Sequence, residues 1–176
     1  MRGLLKPKIL VASFKVCVVI LGVAIVYVLL DFTIDFRPPR IQTSYQFKIK
    51  NLVTDTPLFL RQDNLVILVI ARSAASIAEL QQASAGLQDA ESQDSNQPEF
   101  ATNPLRSRHP EYFVSYARGT NLGCTLQAIE RGLREVCSQA VYDYAGRALP
   151  GEIKFQNLAI PDYNFSSDFN MLTIRP

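Results

Sequence analysis

Cysteine and histidine carry most of the possible chemistry in this 176-residue chain, and both are scarce: three Cys and one His. Cys17 lies within a long apolar run, where we expect it to pack as a small hydrophobic side chain. His109, Cys124 and Cys137 follow that run. A structural zinc site needs four Cys or His ligands, so these three residues are too few for one.

Cys124 and Cys137 are separated by twelve residues. In an oxidising compartment two such thiols normally form a disulfide, and closing a loop of this length stabilises a domain by about 3 kcal/mol in chain-entropy terms. Two free thiols are the alternative. A catalytic redox pair is usually spaced Cys-x-x-Cys, a spacing that this chain lacks. Hydrolase chemistry has little support, because no Gly-x-Ser-x-Gly motif occurs.

An apolar run near the N-terminus indicates the compartment. Residues 9–30 are apolar except for Ser13 and Lys15, which is long enough to cross a bilayer core of about 30 Å. The flanking charges are Arg2, Lys6 and Lys8 before the run and Asp31 and Asp35 after it. Because positive residues stay inside, residues 1–8 are predicted to be cytoplasmic and the chain after the helix to be exported. A cleaved signal peptide is the alternative, but the run is too long for one and lacks a small-x-small cleavage site.

The remaining sequence predicts a linker and a mainly β domain. Residues 31–44 form the predicted linker, which Pro38-Pro39 would keep extended. Residues 45–176 contain short strand-like runs separated by Gly, Pro, Asn and Asp, a pattern typical of a small antiparallel sandwich. The predicted strands are 45–50, 64–70, 112–117, 140–144, 154–158, 163–165 and 171–174. Other predictions are turns at 55–57 and 61–64, a helix over 74–87 and a surface excursion over 89–108.

Overall composition excludes one class of partner. The net charge is +2 and hydrophobic residues make up 48% of the chain. No basic stripe interleaved with aromatic residues occurs, so nucleic acid is not an expected partner. The hydrophobic content is high enough for a folded core.

The residues around the two later cysteines resemble the cluster-binding boxes of Rieske iron–sulfur proteins. Residues 119–124, Gly-Thr-Asn-Leu-Gly-Cys, are similar to the first box, Cys-Thr-His-Leu-Gly-Cys. Residues 135–143, Glu-Val-Cys-Ser-Gln-Ala-Val-Tyr-Asp, are similar to the second, Cys-Pro-Cys-His-Gly-Ser-x-Tyr-Asp. The resemblance continues to the C-terminus and, more loosely, back to residue 45. An N-terminal anchor, a linker and an exported head are also the layout of proteobacterial ubiquinol–cytochrome c reductase Rieske subunits.

The departures from that family fall on its iron ligands. The four ligand positions are occupied here by Gly119, Asn121, Glu135 and Ser138. None of these offers the thiolate or imidazole that a Rieske centre requires. The resemblance matches Cys124 and Cys137 to the disulfide that joins the family's two cluster loops. With one His and two Cys after the anchor, no other arrangement supplies the ligands of a Rieske or a four-thiolate cluster, so no metal or cofactor is expected.

Resemblance and lost ligands together predict a protein that is not an enzyme. We expect a non-redox structural or accessory subunit of a respiratory complex in a bacterial inner membrane, either a quinol–cytochrome c reductase or an oxidase supercomplex. Its Rieske-like domain, residues 45–176, would be periplasmic. Its partners would be the other subunits and, through residues 9–30, the lipid bilayer, with no small-molecule substrate. The alternatives are a periplasmic thiol–disulfide redox protein that uses Cys124 and Cys137, and a true ubiquinol–cytochrome c reductase iron–sulfur subunit, which would need the absent ligands.

Overall fold

The computed structural model of the chain describes residues 7–35, 44–138, 140–151 and 154–176. The chain divides into two units, Met1–Ile41 and Gln42–Pro176. Pro38-Pro39 of the predicted linker and most of the predicted cytoplasmic segment lie outside the described residues.

The first unit contains one long helix, α1, Pro7–Asp35. Its stretch Ile9–Phe32 has a mean hydropathy of 2.8, and none of its residues is buried within the described part of the chain. At 1.5 Å per residue these 24 residues span about 36 Å, enough for a bilayer core. It is the one helix in the described part of the chain that is long and apolar enough to cross a membrane. The predicted anchor, 9–30, lies inside α1, and residues 31–35 of the predicted linker are helical.

The second unit is built from short antiparallel strands. Their bounds are β1 Tyr45–Lys48, β2 Leu58–Gln62, β3 Leu65–Ala71, β4 Tyr112–Tyr116, β5 Leu126–Ile129, β6 Gly132–Glu135, β7 Val141–Tyr142, β8 Asp162–Phe165 and β9 Met171–Arg175. Among the described residues they form three sheets, in the orders β1-β9-β8, β2-β3-β4 and β5-β6-β7. All named strand pairs are antiparallel. The predicted mainly β, antiparallel class is therefore confirmed.

Strand β3 is the centre of the hydrophobic core. Residues 67–70, Ile-Leu-Val-Ile, are each 0% exposed and lie between β2 and β4. A continuous apolar run is what a strand covered on both faces needs, so the predicted strand at 64–70 is confirmed with a shift of one residue. The same cluster contains Phe113 of β4, Leu133 of β6 and Leu172 of β9. One core thus joins all three sheets.

A second helix, α2, Ala74–Gln82, is shorter than predicted. Ser73 caps its start, since the Ser73 hydroxyl accepts a hydrogen bond from the Ser76 N–H at 3.1 Å. The prediction that the helix continues to residue 87 is wrong, because the chain turns after Ala83 and Gly86 adopts φ +81°. A left-handed φ of this kind is compatible with glycine but not with a continuing helix.

One further strand prediction and one turn prediction are corrected. Residues 154–158 form no strand, although Phe155 packs against the core. The turn predicted at 61–64 is narrower, because β2 runs on to Gln62 and the reversal occurs at Asp63, with φ 52°. Strand β2 and the hairpin of β5 and β6 were not predicted from the sequence pattern.

The prediction that residues 89–108 form a surface excursion holds for most of the segment, but five of its residues are buried. Buried residues of this segment are Ser92, Ala101, Leu105, Arg106 and Ser107. The Arg106 guanidinium is fully buried and donates to the carbonyls of Gly146 at 2.9 Å and Leu158 at 2.7 Å. Its Nε also donates to the Ser92 hydroxyl at 2.5 Å. One polar side chain therefore fastens this segment to two others that are distant in sequence.

Burial also changes the acidity of that guanidinium. It lowers the pKa of Arg106 to about 10, while the negative charges of Asp143 and Asp89 act to raise it. A pKa of about 10 leaves Arg106 charged at neutral pH. The domain thus keeps a positive charge in its interior and distributes it over backbone carbonyls, as burial of a charged group requires.

We predict that Arg106→Met lowers the free energy of unfolding of the full chain by about 2–4 kcal/mol, because buried acceptors lose their donor. Chemical denaturation in detergent, followed by circular dichroism, measures the change. The control is Arg134→Met on the exposed side of β6, which should change stability by less than about 0.5 kcal/mol. Equal effects of the two substitutions would contradict the structural role assigned to Arg106.

Candidate functional site

The candidate site lies at one end of the β5-β6-β7 sheet, where two loops meet. One loop, residues 117–125, leads from β4 into β5, and the other, of which residues 136–138 and 140 are described, lies between β6 and β7. The backbone N–H of Gly119 donates to the carbonyl of Cys124 at 2.9 Å within the first loop. Between the loops, the N–H of Val136 donates to the carbonyl of Thr125 at 3.1 Å. These bonds set the loops side by side.

A disulfide joins the same two loops. Cys124 and Cys137 are bonded, with their Cα atoms 6.1 Å apart. This separation lies within the usual range for disulfides. Cys124 is half-buried and Cys137 is exposed. The disulfide is thus a covalent link between the two loops at the surface of the site.

The Glu135 carboxylate lies next to this disulfide, at the end of β6. Glu135 is 0% exposed. Its Oε1 accepts hydrogen bonds from the backbone N–H groups of Cys124 at 3.0 Å and Leu122 at 3.3 Å. Its Oε2 accepts from the hydroxyl of Ser138. A buried carboxylate is costly unless it is hydrogen-bonded, and here the donors come from both loops.

The backbone of the first loop is shaped to present these donors. Gly123 lies between Leu122 and Cys124 and adopts φ +69°, a conformation that glycine takes readily. The turn at Gly123 aims the N–H groups on either side of it at the same carboxylate oxygen. Convergent backbone N–H groups form an anion-binding concavity. The loop therefore binds an anion that the chain itself supplies.

Gly119 provides the space for the Glu135 side chain. A Cβ atom built on Gly119 would overlap the Glu135 side chain, including its carboxyl group. Gly119 is itself buried. The Glu135 side chain can therefore pack here only because position 119 has no side chain.

The structure brings together three of the four positions matched to family ligands. Gly119 and Ser138 each lie against the Glu135 side chain. Asn121 instead lies exposed on the first loop. The sequence pattern marked Glu135 only as a lost ligand; its role as the bound anion was missed. The signal that could have found it is an acidic residue paired with a glycine at the two matched thiolate positions.

Tyr142 connects the site to a third segment. The Tyr142 hydroxyl lies 3.4 Å from the backbone N–H of Thr120 and 3.3 Å from the Thr120 hydroxyl. The Thr120 hydroxyl donates to the carbonyl of Gln156 at 2.6 Å. Burial raises the pKa of Tyr142, the hydrogen bonds from Thr120 lower it, and the charge of Glu135 raises it further. Tyr142 therefore stays neutral at physiological pH and acts as a hydrogen-bonding strut.

The donor set does not suit a metal centre. The sulfur atoms of Cys124 and Cys137 and a Glu135 carboxylate oxygen lie within 4.8 Å of one another. Both sulfurs are bonded to each other in the disulfide, and a cysteine binds a metal ion as a free thiolate. A Rieske [2Fe–2S] centre also needs two imidazoles, and none of the residues around Glu135 is a histidine. The residues at this site therefore do not fit that cluster.

Comparisons with known proteins give one weak sequence match. No family model matches the chain. The chain is 28% identical over 118 residues to the "ubiquinol-cytochrome c reductase iron-sulfur subunit" of Allochromatium vinosum, a match that covers 60% of this chain and 57% of that protein. Among solved structures, a chain of a "hyperthermophilic respiratory Complex III" is 12% identical, with a TM-score of 0.49, over 92% of this chain and 97% of that one. The chain thus has weak sequence similarity to a Rieske iron–sulfur subunit.

A double-mutant cycle tests whether Gly119 and Glu135 share one space. Gly119→Ala should destabilise the chain by about 1–3 kcal/mol through overpacking, and Glu135→Ala by a similar amount, because two N–H groups lose their acceptor. In the double variant the new methyl group enters the vacated space, so the combined loss should be smaller than the sum by about 1–2 kcal/mol. Urea denaturation of the full chain in detergent measures all four species.

The control cycle pairs Gly119→Ala with Arg134→Ala. Arg134 is the residue before Glu135 and points to solvent, so these two losses should add to within about 0.5 kcal/mol. Additive losses in the Gly119 and Glu135 cycle would show that the carboxylate does not occupy the space beside Gly119.

A separate prediction concerns the disulfide. Replacing both Cys124 and Cys137 with Ser should lower the stability of the chain by about 2–5 kcal/mol, whereas Cys17→Ser in α1 should leave the β domain unchanged. Thermal unfolding in detergent provides the measurement. We also expect the bridge to resist glutathione buffers, as structural disulfides with potentials below about −300 mV do. Ready exchange at a mild potential would instead favour the thiol–disulfide redox alternative.

Proposed function

We propose that the chain is a non-redox structural subunit of a membrane respiratory complex. Its Rieske-like domain would use an internal carboxylate where an electron-transferring relative uses an iron–sulfur cluster. The observation that carries the proposal is the fully buried Glu135 side chain, which bonds to the N–H groups of Leu122 and Cys124 and fills the space beside Gly119.

The bonding at Glu135 supports a closed, inert site. The donors that converge on the carboxylate are two backbone N–H groups and the Ser138 hydroxyl. Each is a neutral group that cannot change oxidation state. A function that depends on the ancestral cofactor does not follow from the fold once the site has changed. Such a domain can still present a surface for partner subunits while its helix holds it at the membrane.

The membrane setting supports a role within a complex. The apolar surface of α1 suits lipid or neighbouring transmembrane helices. Similarity to an iron–sulfur subunit of ubiquinol-cytochrome c reductase favours a quinol–cytochrome c reductase or an oxidase supercomplex as the assembly. The basic residues that precede α1 favour a cytoplasmic N-terminus and a periplasmic β domain in a bacterial inner membrane. On this proposal the chain is not an enzyme and has no small-molecule substrate.

We predict that the purified full chain contains no stoichiometric iron or acid-labile sulfide and gives no [2Fe–2S] signal in low-temperature EPR after reduction. The reason is the absence of two thiolates and two imidazoles at the matched positions. The similar iron–sulfur subunit of Allochromatium vinosum, expressed and purified in parallel, is the positive control. One equivalent of a [2Fe–2S] centre in this chain would overturn the proposed function.

A further inference from the structure

A cleft of about 530 Å³ opens on the β domain away from Glu135 and the disulfide. It lies between α2, the turn of the β5–β6 hairpin and the segment that follows β7. Its apolar lining includes Leu80, Leu87, Leu149 and Pro150, together with Tyr144. The volume falls within the range of sites that bind small molecules or a few side chains. None of the residues that bind the Glu135 carboxylate lines this cleft.

The rim of the cleft carries an excess of negative charge. Its ionisable lining residues, apart from Tyr144, are Asp55, Glu79, Glu130, Asp143 and Arg131. Four carboxylates against one guanidinium give 4 − 1 = 3 net negative charges in this lining. Arg147 lies behind Asp143 at 2.8 Å, which reduces the net charge to −2. A lining that combines apolar side chains with carboxylates is complementary to a cation that has an apolar stem.

The acidity of two lining residues supports this negative potential. Burial raises the pKa of Tyr144, and the charge of Asp55 raises it further. Burial acts to raise the pKa of Asp55 as well, but hydrogen bonds from Ser73 and Ser76 outweigh it, so the pKa lies below its ordinary value of 3.8. Asp55 is therefore ionised at neutral pH, and its charge acts on Tyr144, which also lines the cleft.

The chain already places one guanidinium at this rim. Arg131 donates to the carboxylate of Glu79 at 3.1 Å, with the two side chains 77% and 62% exposed. Ion pairs as exposed as this one contribute little to stability. An incoming guanidinium can therefore replace Arg131 at little cost.

We propose that this cleft is a docking site for an arginine or lysine side chain of a partner subunit, carried on a segment with an apolar neighbour. This inference rests on the proposed function, because it supplies the chemistry of one contact within the assembly. The aliphatic stem of the basic residue would lie along Leu80 and Leu149, and its cationic head would meet Glu79 and Glu130.

The test uses the full chain in lipid nanodiscs with isotope-labelled leucine methyl groups. The probe is butylguanidinium, and the matched control is butylurea, a neutral molecule of similar shape. Methyl resonances of Leu80, Leu87 and Leu149 should shift on titration with butylguanidinium and shift far less with butylurea. Equal shifts with both probes would mean an apolar cavity without charge selectivity, and shifts confined to other leucines would place the cation elsewhere. Either result overturns the proposal.

Charge-removing variants complete the test. Glu79→Gln combined with Glu130→Gln should weaken butylguanidinium binding about five-fold, the scale of two exposed ion pairs. Glu91→Gln combined with Glu99→Gln, which removes two exposed carboxylates outside the cleft, should leave binding unchanged. Equal weakening in both double variants would assign the effect to overall charge and overturn the proposal. Iron and sulfide content is measured on the same samples to test the proposed function separately from the cleft. A chain that holds a cluster would contradict the proposed function even if it binds the cation. A cluster-free chain that fails to bind the cation would contradict only the docking proposal.

Discussion

Burial of charged side chains among backbone carbonyls is the interaction on which this small β domain depends. Arg106 binds the carbonyls of Gly146 and Leu158, and Arg72 binds those of Leu105 and Pro110, each at 2.8 Å. Both arginines are almost fully buried, and burial lowers the pKa of each to about 10. The strands are only two to seven residues long, so much of the backbone lies in loops whose carbonyls need donors. A guanidinium with five N–H groups can serve several of them at once.

Arg147 extends the same arrangement to the segment that follows β7. Its guanidinium pairs with Asp143 at 2.8 Å and donates to the carbonyl of Leu80 in α2 at 2.9 Å. The Asp143 carboxylate also accepts the N–H groups of Ala145 and Arg147 at 2.9 Å each. This one ion pair therefore closes the turn after β7 and holds α2 against it. The position of the acidic cleft, between that turn and α2, is a consequence of this contact.

Glu135 is a buried anion that is stabilised by hydrogen bonds, as the buried arginines are stabilised as cations. A buried anion gathers N–H donors as a buried cation gathers carbonyls, and these donors belong to the loop that carries Cys124. The carboxylate and the disulfide therefore hold the two loops together, one from inside and one at the surface. On the proposed function this explains how loops shaped around a cofactor can remain ordered without one. On that same proposal, the Glu135 side chain takes the place of an external ligand.

The sequence pattern predicted the parts of the fold that depend on local hydrophobicity. The apolar helix, the buried strand β3 and the two C-terminal strands follow from runs of residues that can be read directly. Arg106 could not be recognised, because it lies in a polar segment and its acceptors are carbonyls 40 and 52 residues away. Every residue has a backbone carbonyl, so the residue type does not show which carbonyls accept a hydrogen bond from Arg106. The β5–β6 hairpin was missed because β5, Leu126–Ile129, has only four residues and exposes the two central ones, so it lacks the regular alternation of apolar and polar residues that marks a half-buried strand.

The candidate site shows where a family resemblance informs and where it stops. Matching residues 119–124 and 135–143 to the two boxes located the loops and the cysteine pair, because those positions are defined by spacing. It described Gly119 and Glu135 only as two losses. The structure joins them, since the side chain missing at Gly119 leaves room for the one present at Glu135. The two positions that the resemblance matches to thiolate ligands therefore form one steric fit, and a fit of this kind depends on three-dimensional neighbours that spacing along the chain does not reveal.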